Sequence, residues 1–257
     1  MKLLVCVKHV PDTEAKIKVG PDGKSPDLAG VKMTVSPFDE YALEEALLIK
    51  EAGGATEVVV LAAGDDGVQG SLRQALAMGA DRAIHASGAS LANADALTRA
   101  RVLAAAIREE APDLVFTGKT GVGDDESQVG PMLGELLDRP HAGAVFQLSL
   151  AERRFTAHRN IEGAVEILEG ELPAVIAWDK GEHAPRYPSL RGIMAAKKKP
   201  FSVRTLAELG VTVPVPLVVR EALELPPTRA SGRLITGDAG EAASTLVRLL
   251  REEAKVI

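Results

Sequence analysis

The sequence predicts an α/β protein with a doubly wound, mostly parallel sheet. Through the first half of the 257-residue chain, short apolar runs rich in β-branched residues alternate with segments of helical apolar spacing. The connections are short, and Gly, Pro or Asp ends most of the runs. Strands covered by helices on both faces are apolar throughout, as these runs are. The alternation favours parallel strands joined by right-handed crossovers.

Four strands and three helices account for the first half of the chain. The strands are predicted at residues 2–8, 57–63, 82–86 and 113–117. The helices are predicted at 40–50, with Ser36 or Asp39 as its cap, at 69–78 and at 91–110. The polar stretch 18–31, rich in Gly and Pro, predicts a hairpin-like or irregular insertion.

The pattern changes after residue 137. Antiparallel strands are predicted at 144–150, 153–158 and 164–168, followed by a buried strand at 173–178. From residue 182 the periodicity weakens and prolines accumulate, and an amphipathic helix at 241–253 follows. Long irregular segments usually belong to an interface or a functional arm. We therefore predict an α/β domain over residues 1–183 and a proline-rich C-terminal arm over 184–257.

Composition argues against several classes of function. No apolar run approaches the roughly 20 residues that a membrane span requires. A net charge of −6 argues against general nucleic-acid binding, which needs a basic face. The single cysteine excludes an internal disulfide, and the histidines have no metal-ligand spacing. We therefore expect a cytoplasmic location and no metal site.

A glycine-rich stretch, residues 118–129, follows the fourth predicted strand and leads into a helix; we call it the glycine loop. Such a loop offers free backbone N–H groups and the positive end of a helix dipole, which favour an anion such as phosphate. The alternative is that the glycines only make a tight turn. In doubly wound sheets, ligands bind beyond the carboxyl ends of the strands. There the glycine loop would meet the loops that follow Cys6 and Ala63, so a nucleotide site is predicted.

Three blocks of sequence are distinctive. They are Val5-Cys6-Val7-Lys8-His9-Val10-Pro11-Asp12, Leu76-Ala77-Met78-Gly79-Ala80-Asp81-Arg82 and the block from Arg186 to Lys199. Together they resemble the beta subunit of electron transfer flavoprotein. With Ser36-Pro37-Phe38-Asp39 and the glycine loop, the resemblance extends over nearly the whole chain. It implies an adenine nucleotide alpha-hydrolase-like sheet within a nucleotide-binding domain formed by residues 1–183.

The resemblance also implies a function, which is that of a non-catalytic electron carrier. The chain would form a heterodimer with an alpha subunit that holds most of a shared FAD, and the arm 184–257 would pack on that subunit. Electrons would pass from acyl-CoA dehydrogenases of fatty acid oxidation, and related dehydrogenases, to a membrane quinone oxidoreductase. A stand-alone ATP- or AMP-binding stress-type module is the alternative from another class, although it would not require the arm.

The resemblance further implies that a structural AMP occupies the nucleotide site. By position, its contacts would be Cys6, Ser36, Pro37, Phe38, Asp39, Ala63, Gly118, Lys119, Thr120, Gly121, Val122, Gly123, Asp124, Asp125, Glu126, Ser127, Gln128 and Val129. The backbone N–H groups of residues 121–127 would bind the phosphate, and small side chains at Cys6 and Ala63 would leave room for adenine. The sequence from Ser127 to Pro131 is also similar to that of bifurcating members, which hold a second FAD in this pocket. A second FAD therefore stays an alternative to AMP, which we favour.

A partner-recognition segment is implied near the start of the arm. It comprises Tyr187, Pro188, Ser189, Leu190, Arg191, Gly192, Ile193 and Met194. Leu190 matches the leucine that anchors acyl-CoA dehydrogenases in the family; the alternative is an ordinary core leucine. The lysines at 197–199 would steer an acidic partner. Two other residues invite interpretation: His9 has no evident Ser or carboxylate partner in the sequence, and Trp178 is expected in the core or a subunit interface.

Overall fold

A computed structural model describes residues 1–229 and 231–257. These residues form two compact units, Met1–Ala222 and Leu223–Ile257. The strands are β1 Lys2–Cys6, β2 His9–Pro11, β3 Lys18–Val19, β4 Pro26–Asp27, β5 Met33–Val35, β6 Glu57–Gly64, β7 Arg82–Ser87, β8 Leu114–Gly118, β9 His141–Ala151, β10 Arg154–Ile161, β11 Ala164–Glu171, β12 Ala174–Trp178 and β13 Phe201–Thr205. The α-helices are α1 Pro37–Glu51, α2 Val68–Met78, α3 Ala96–Glu110, α4 Val129–Leu137, α5 Leu190–Ala196 and α6 Ala239–Glu252.

One large sheet organises the first unit. Within the described residues it has nine strands, in the order β11-β10-β9-β12-β8-β1-β6-β7-β13. The seven strands β9-β12-β8-β1-β6-β7-β13 are parallel to their neighbours in this order, whereas β10 is antiparallel to both β9 and β11. The central strand β1 lies between β6 and β8, with Leu3 opposite Val58 and Leu114. This confirms the predicted α/β class with a doubly wound, mostly parallel sheet.

Helices cover both faces of the sheet. Successive residues of a strand point to opposite faces, and β1 shows the consequence. Leu3 packs in one hydrophobic core with Leu43 of α1 and Leu72 of α2. Its neighbour Leu4 packs in a second core with Ile107 of α3. The apolar run at the start of the chain is therefore buried on both sides, as a central parallel strand requires.

The predicted change of pattern after residue 137 is confirmed. The long strands β9 and β10 pair antiparallel, with Ala151 opposite Arg154 at the turn. Strand β12 then returns to the parallel part of the sheet between β8 and β9. Trp178 at its end is fully buried and meets Phe116 edge-to-face, with ring centroids 5.4 Å apart. Trp178 is thus a core residue.

One predicted helix differs from the structure. The helix predicted at 91–110 is a 3₁₀ turn, Ala89–Asn93, followed by α3. Asp95 separates them because its side chain accepts a hydrogen bond from the Thr98 N–H at 2.8 Å, and such a cap starts a new helix. Alanine-rich composition concealed this break.

The arm contains two elements, α5 and β13, that were not predicted. Strand β13 extends the sheet by pairing with β7, Phe201 opposite Ala83. It is a short edge strand with several exposed side chains, so its sequence lacks the apolar signal of the central strands. The first compact unit consequently continues past residue 183. In the described part of the chain, no helix is long and apolar enough to cross a membrane.

Candidate functional site

A cleft lies at the carboxyl ends of β1, β6 and β8, where the three predicted loops meet. Its lining residues are Cys6, Val7, Lys8, Asp39, Ala63, Arg99, Leu103, Thr117, Gly118, Lys119, Thr120, Gly121, Asp124, Glu126, Ser127, Gln128, Val129 and Gly130. The cavity volume is about 100 Å³, and the empty space is about 740 Å³ when the open mouth is included. Ligand sites usually measure about 300–1,000 Å³. A nucleotide would therefore occupy the mouth as well as the cavity.

Most of the predicted contact residues line this cleft. Among the described residues, those that do not are Ser36, Pro37, Phe38, Val122, Gly123 and Asp125. Of these residues, Phe38 packs against the backbone of the cleft, because a Cβ at Gly118 would lie 2.7 Å from the Phe38 Cβ. Residue 118 must therefore be a glycine for the start of α1 to approach the end of β8 this closely.

A buried carboxylate joins the ends of β1 and β8. The two oxygens of Asp39 accept hydrogen bonds from the Lys8 N–H at 2.7 Å and the Gly118 N–H at 2.8 Å. Burial raises the pKa of Asp39 to about 7, although both hydrogen bonds oppose that shift. Of the two predicted cap residues, Ser36 holds the N-cap position of α1, although its side chain makes no capping hydrogen bond, and Asp39 is not the cap. The helix start faces the strand ends, and Asp39 binds their amides instead.

The glycine loop crosses from β8 to α4 over the cleft. A Cβ at Gly121 would lie 2.5 Å from the Lys8 Cδ, so a larger residue there would require the flexible lysine side chain to move. Asp125 and Ser127 have φ angles of 49° and 53°, a region that few non-glycine residues adopt. Helix α4 begins at Val129, whose position at the cleft brings the positive end of the helix dipole to the lining. This is the electrostatic arrangement that the sequence predicted for an anion.

Two lysines of the lining form ion pairs. The Lys8 Nζ lies 2.8 Å from an oxygen of Asp124, and the Lys119 Nζ lies 2.8 Å from an oxygen of Asp179. The first pair involves Asp124, an acidic residue that the sequence places beside the predicted phosphate, where two negative charges would repel each other. In the structure its negative charge is balanced by Lys8.

The remaining lining combines apolar wall and free polar atoms. The hydroxyl oxygens of Thr117 and Thr120 are buried and make no hydrogen bond to the described residues. Burial raises the pKa of the Cys6 thiol, so this side chain is uncharged, and with Ala63 it forms part of the wall. The cleft can therefore hold a ligand with an apolar ring, hydrogen-bonding groups and an anionic end, and the residues present fit a nucleotide.

Several lining residues were absent from the sequence prediction. They are Val7, Lys8, Arg99, Leu103, Thr117 and Gly130. Lys8 follows β1 directly, so the position of that strand end was a usable signal. Arg99 and Leu103 lie one turn apart on α3, and nothing in that Arg- and Leu-rich helix distinguishes them. His9 was expected to lack a partner, but its Nδ1 lies 2.8 Å from the Ser71 Oγ. In the described residues, no group of His, Cys, Asp or Glu is arranged to hold a metal.

The predicted recognition segment, residues 187–194, lies elsewhere on the first unit. Tyr187 is 94% exposed, Leu190 77% and Met194 66%, and Ser189, Arg191 and Ile193 are exposed too. Pro188 and Gly192 are half-buried. Leu190 begins α5 and is not a core residue. The segment thus presents a row of apolar side chains to its surroundings.

Polar contacts anchor this segment at its start. Arg186 donates to Glu44 through Nε and Nη2, at 2.9 and 2.8 Å, and also contacts Glu51. The Glu44 side chain is only 6% exposed, so the ion pair is partly buried. Ser189 then caps α5 by accepting a hydrogen bond from the Gly192 N–H at 3.0 Å.

Helix α5 rests closely on α2. A Cβ at Gly192 would lie 2.2 Å from the carbonyl oxygen of Ala77. Beyond the helix, the Lys199 Nζ donates to the carbonyl oxygens of Leu76 and Ala80 at the end of α2. Of the predicted steering lysines, Lys197 and Lys198 are exposed, whereas Lys199 serves the structure as a helix cap.

Comparisons with known proteins identify the family. The electron transfer flavoprotein domain matches residues 27–209. The chain is 40% identical over 256 residues to the electron transfer flavoprotein subunit beta of Syntrophomonas wolfei, covering 100% of this chain and 98% of that protein. It is 40% identical to the mitochondrial subunit beta of Arabidopsis thaliana over 100% of both chains. It is 38% identical to the subunit beta of Mus musculus, covering 100% of this chain and 99% of that protein. This chain therefore belongs to the electron transfer flavoprotein beta subunit family.

Proposed function

We propose that this beta subunit forms a heterodimer with an alpha subunit and shares with it one FAD, held mainly by that partner. The FAD, when bound, supplies the redox chemistry. This chain positions the cofactor and docks the proteins that exchange electrons with it. Electrons pass from acyl-CoA and related dehydrogenases to a membrane quinone oxidoreductase, and the location is cytoplasmic. Residues 1–183 act as a nucleotide-binding domain, and residues 184–257 supply the partner-recognition segment and the C-terminal arm that packs on the alpha subunit.

The cleft binds AMP as a structural group. The observation that carries this step is that an uncharged wall at Cys6 and Ala63 and the start of α4 line the same cleft. Adenine packs against this wall. The phosphate lies at the positive end of the α4 dipole and accepts hydrogen bonds from the backbone N–H groups of the glycine loop. The buried hydroxyls of Thr117 and Thr120 are available to the ligand.

A second FAD in the same cleft is the other candidate. It is favoured by the sequence Ser127-Gln128-Val129-Gly130-Pro131, which is similar to that of bifurcating members. An open mouth would let a larger nucleotide extend outward. The two candidates share the adenine and phosphate positions and differ only in what lies beyond them.

Nucleotide analysis of the purified complex tests these proposals. The chain is produced with its alpha subunit, the complex is denatured, and the released nucleotides are quantified by mass spectrometry. We expect one AMP and one FAD per heterodimer. A result of two FAD and no AMP would mean that the cleft holds a second FAD and not a structural AMP. ATP in a chain that purifies without any partner would contradict the electron-carrier proposal and favour a stress-type module.

Docking of dehydrogenases is assigned to the exposed segment 187–194. Its apolar row is centred on Leu190, and interfaces concentrate their binding energy in a few such anchors. Exposed apolar side chains also occur in the arm at Val215, Leu217, Val218 and Val219. Contiguous exposed apolar surface marks an interaction site, and we assign the arm to the alpha subunit.

Substitution of Leu190 separates docking from folding. We predict that Leu190→Ala lowers the kcat/KM for electron transfer from an acyl-CoA dehydrogenase by roughly tenfold, as loss of an anchor does. The FAD content, read from the visible absorbance, stays unchanged. Leu28→Ala, at another exposed leucine, is the matched control and leaves transfer unaltered. Loss of FAD in Leu190→Ala would instead mean that the residue supports the fold.

A further inference from the structure

We propose that Lys8 is a phosphate ligand of the cleft, and that Asp124 is a built-in counter-anion which the phosphate of the nucleotide displaces from it. The inference rests on the proposed function of the cleft as an AMP site. It adds a residue that binds the ligand through its side chain, and a partner that regulates access to that residue.

The backbone of Lys8 is held from two sides. Its N–H donates to Asp39 at 2.7 Å, and its carbonyl oxygen accepts a hydrogen bond from the Ser36 N–H at 2.9 Å. The base of the side chain is therefore fixed at the end of β1, and only the flexible stem and its ammonium group are free to move.

The side chain of Lys8 crosses the glycine loop. An added Cβ at Gly121 would lie 2.5 Å from its Cδ and 2.7 Å from its Nζ. The ammonium group thus lies directly against the backbone that offers N–H groups to an anion. Gly121 leaves the space that the lysine stem fills.

The other cations of the lining are engaged differently. Lys119 pairs with Asp179, outside the glycine loop, and lies over the Phe38 ring at 5.0 Å. The Nε of Arg99 donates to the Ala94 carbonyl oxygen at 3.1 Å. Lys8 is paired with a residue of the glycine loop itself. A movement of that loop or of the lysine stem is enough to exchange its anion.

The exchange favours phosphate. The side chains of Lys8 and Asp124 are 29% and 30% exposed, and ion pairs that solvent reaches are weak. A phosphate monoester carries about −1.5 to −2 charges at pH 7, whereas the Asp124 carboxylate carries one, so phosphate attracts the ammonium group more strongly. The cavity volume of about 100 Å³ is below that of ordinary ligand sites, so the nucleotide must extend beyond the cavity, and both members of the pair line the cleft that it would fill.

Nucleotide binding by the heterodimer tests the inference. Bound nucleotide is removed by dialysis, and the affinities for AMP and for adenosine are measured by calorimetry. We expect Lys8→Met to weaken AMP roughly tenfold or more, because it removes the ammonium group and keeps the apolar stem. Adenosine, which lacks the phosphate, binds as before, and Lys8→Arg retains most of the AMP affinity. Lys32→Met, whose pair with Asp12 is outside the lining, is the matched control.

The direction in which Asp124→Asn changes the affinity for AMP distinguishes this inference from a purely structural role of the ion pair. Release of Lys8 and removal of a negative charge predict that this variant binds AMP a few-fold more tightly than the wild type. If the ion pair only stabilises the loop, both Lys8→Met and Asp124→Asn weaken AMP, and that outcome overturns the inference. Equal losses for AMP and adenosine in Lys8→Met would overturn it too. If the wild-type complex binds neither compound, the proposed AMP site itself fails.

Discussion

The nucleotide cleft and the segment 187–194 differ in what holds them in place. The cleft is made of strand ends and loop backbone, joined by the buried carboxylate of Asp39. The segment presents exposed side chains and is held by the Arg186 ion pairs and by a close approach of Gly192 to α2. A site made of backbone depends on the whole sheet, whereas a site made of side chains depends on a few local contacts. Substitutions in the two regions should therefore have different consequences.

Asp39→Ala should have the largest effect on stability. It leaves the N–H groups of Lys8 and Gly118 without their acceptor, and each buried loss costs about 1–3 kcal/mol. We expect a total near 3 kcal/mol, or a fall in Tm of roughly 6–12 °C, measured by calorimetry of the complex. Asp27→Ala, at an exposed aspartate, is the control and changes stability by less than about 0.5 kcal/mol. An equally small effect of Asp39→Ala would show that the Asp39 carboxylate does not hold the ends of β1 and β8 together.

Arg186→Met should have the next largest effect. It leaves the nearly buried Glu44 carboxylate without its cation, which we expect to cost about 2–3 kcal/mol. The residues around 187 should then become sensitive to limited proteolysis while bound nucleotide is retained. Adding Glu44→Gln should recover part of the loss, since the unpaired charge is gone. Additive losses in the double variant would show that the two side chains act independently.

Glycine substitutions give a matched pair with opposite signs. Gly192→Ala places a Cβ against the Ala77 carbonyl oxygen and should destabilise by about 1–3 kcal/mol as α5 shifts. Gly70→Ala, in α2 with open space around it, should stabilise by about 0.5–1 kcal/mol because alanine is the better helix former. Thermal unfolding of both variants measures the difference. Stabilisation in both would mean that α5 does not rest on α2 through Gly192.

His183→Gln should have the smallest effect, visible as a pH dependence. The His183 Nδ1 lies 2.9 Å from an oxygen of Glu45, and this hydrogen bond raises the pKa of His183. The stabilisation is therefore present below the unfolded pKa of about 6.5 and is lost as the pH rises through the folded value. Because the histidine side chain is 57% exposed, we expect less than about 1 kcal/mol. The difference in Tm between wild type and variant should shrink from pH 6 to pH 8.5; a constant difference would contradict the ion pair.

The two regions were also unequally predictable. The strands that carry the cleft have continuous apolar runs, so the convergence of the loops after Cys6, Ala63 and Thr117 followed from the order of elements alone. The recognition segment was located by its resemblance, but α5 and the edge strand β13 were not predicted. Short elements with exposed side chains do not produce a strong hydrophobic period.

The sequence by itself determined the fold class, the loops that form the cleft and the family. Local patterns are sufficient for the fold class and the loops because apolar periodicity and turn residues act over a few neighbouring positions, whereas the family follows from the resemblance of whole blocks of sequence. Only the tertiary structure decided that Asp39 binds amides 31 and 79 positions away and that Lys8 pairs with Asp124 across 116 positions. Such contacts depend on which strand ends the sheet brings together, and on the burial and distances that result, which no short stretch of sequence contains.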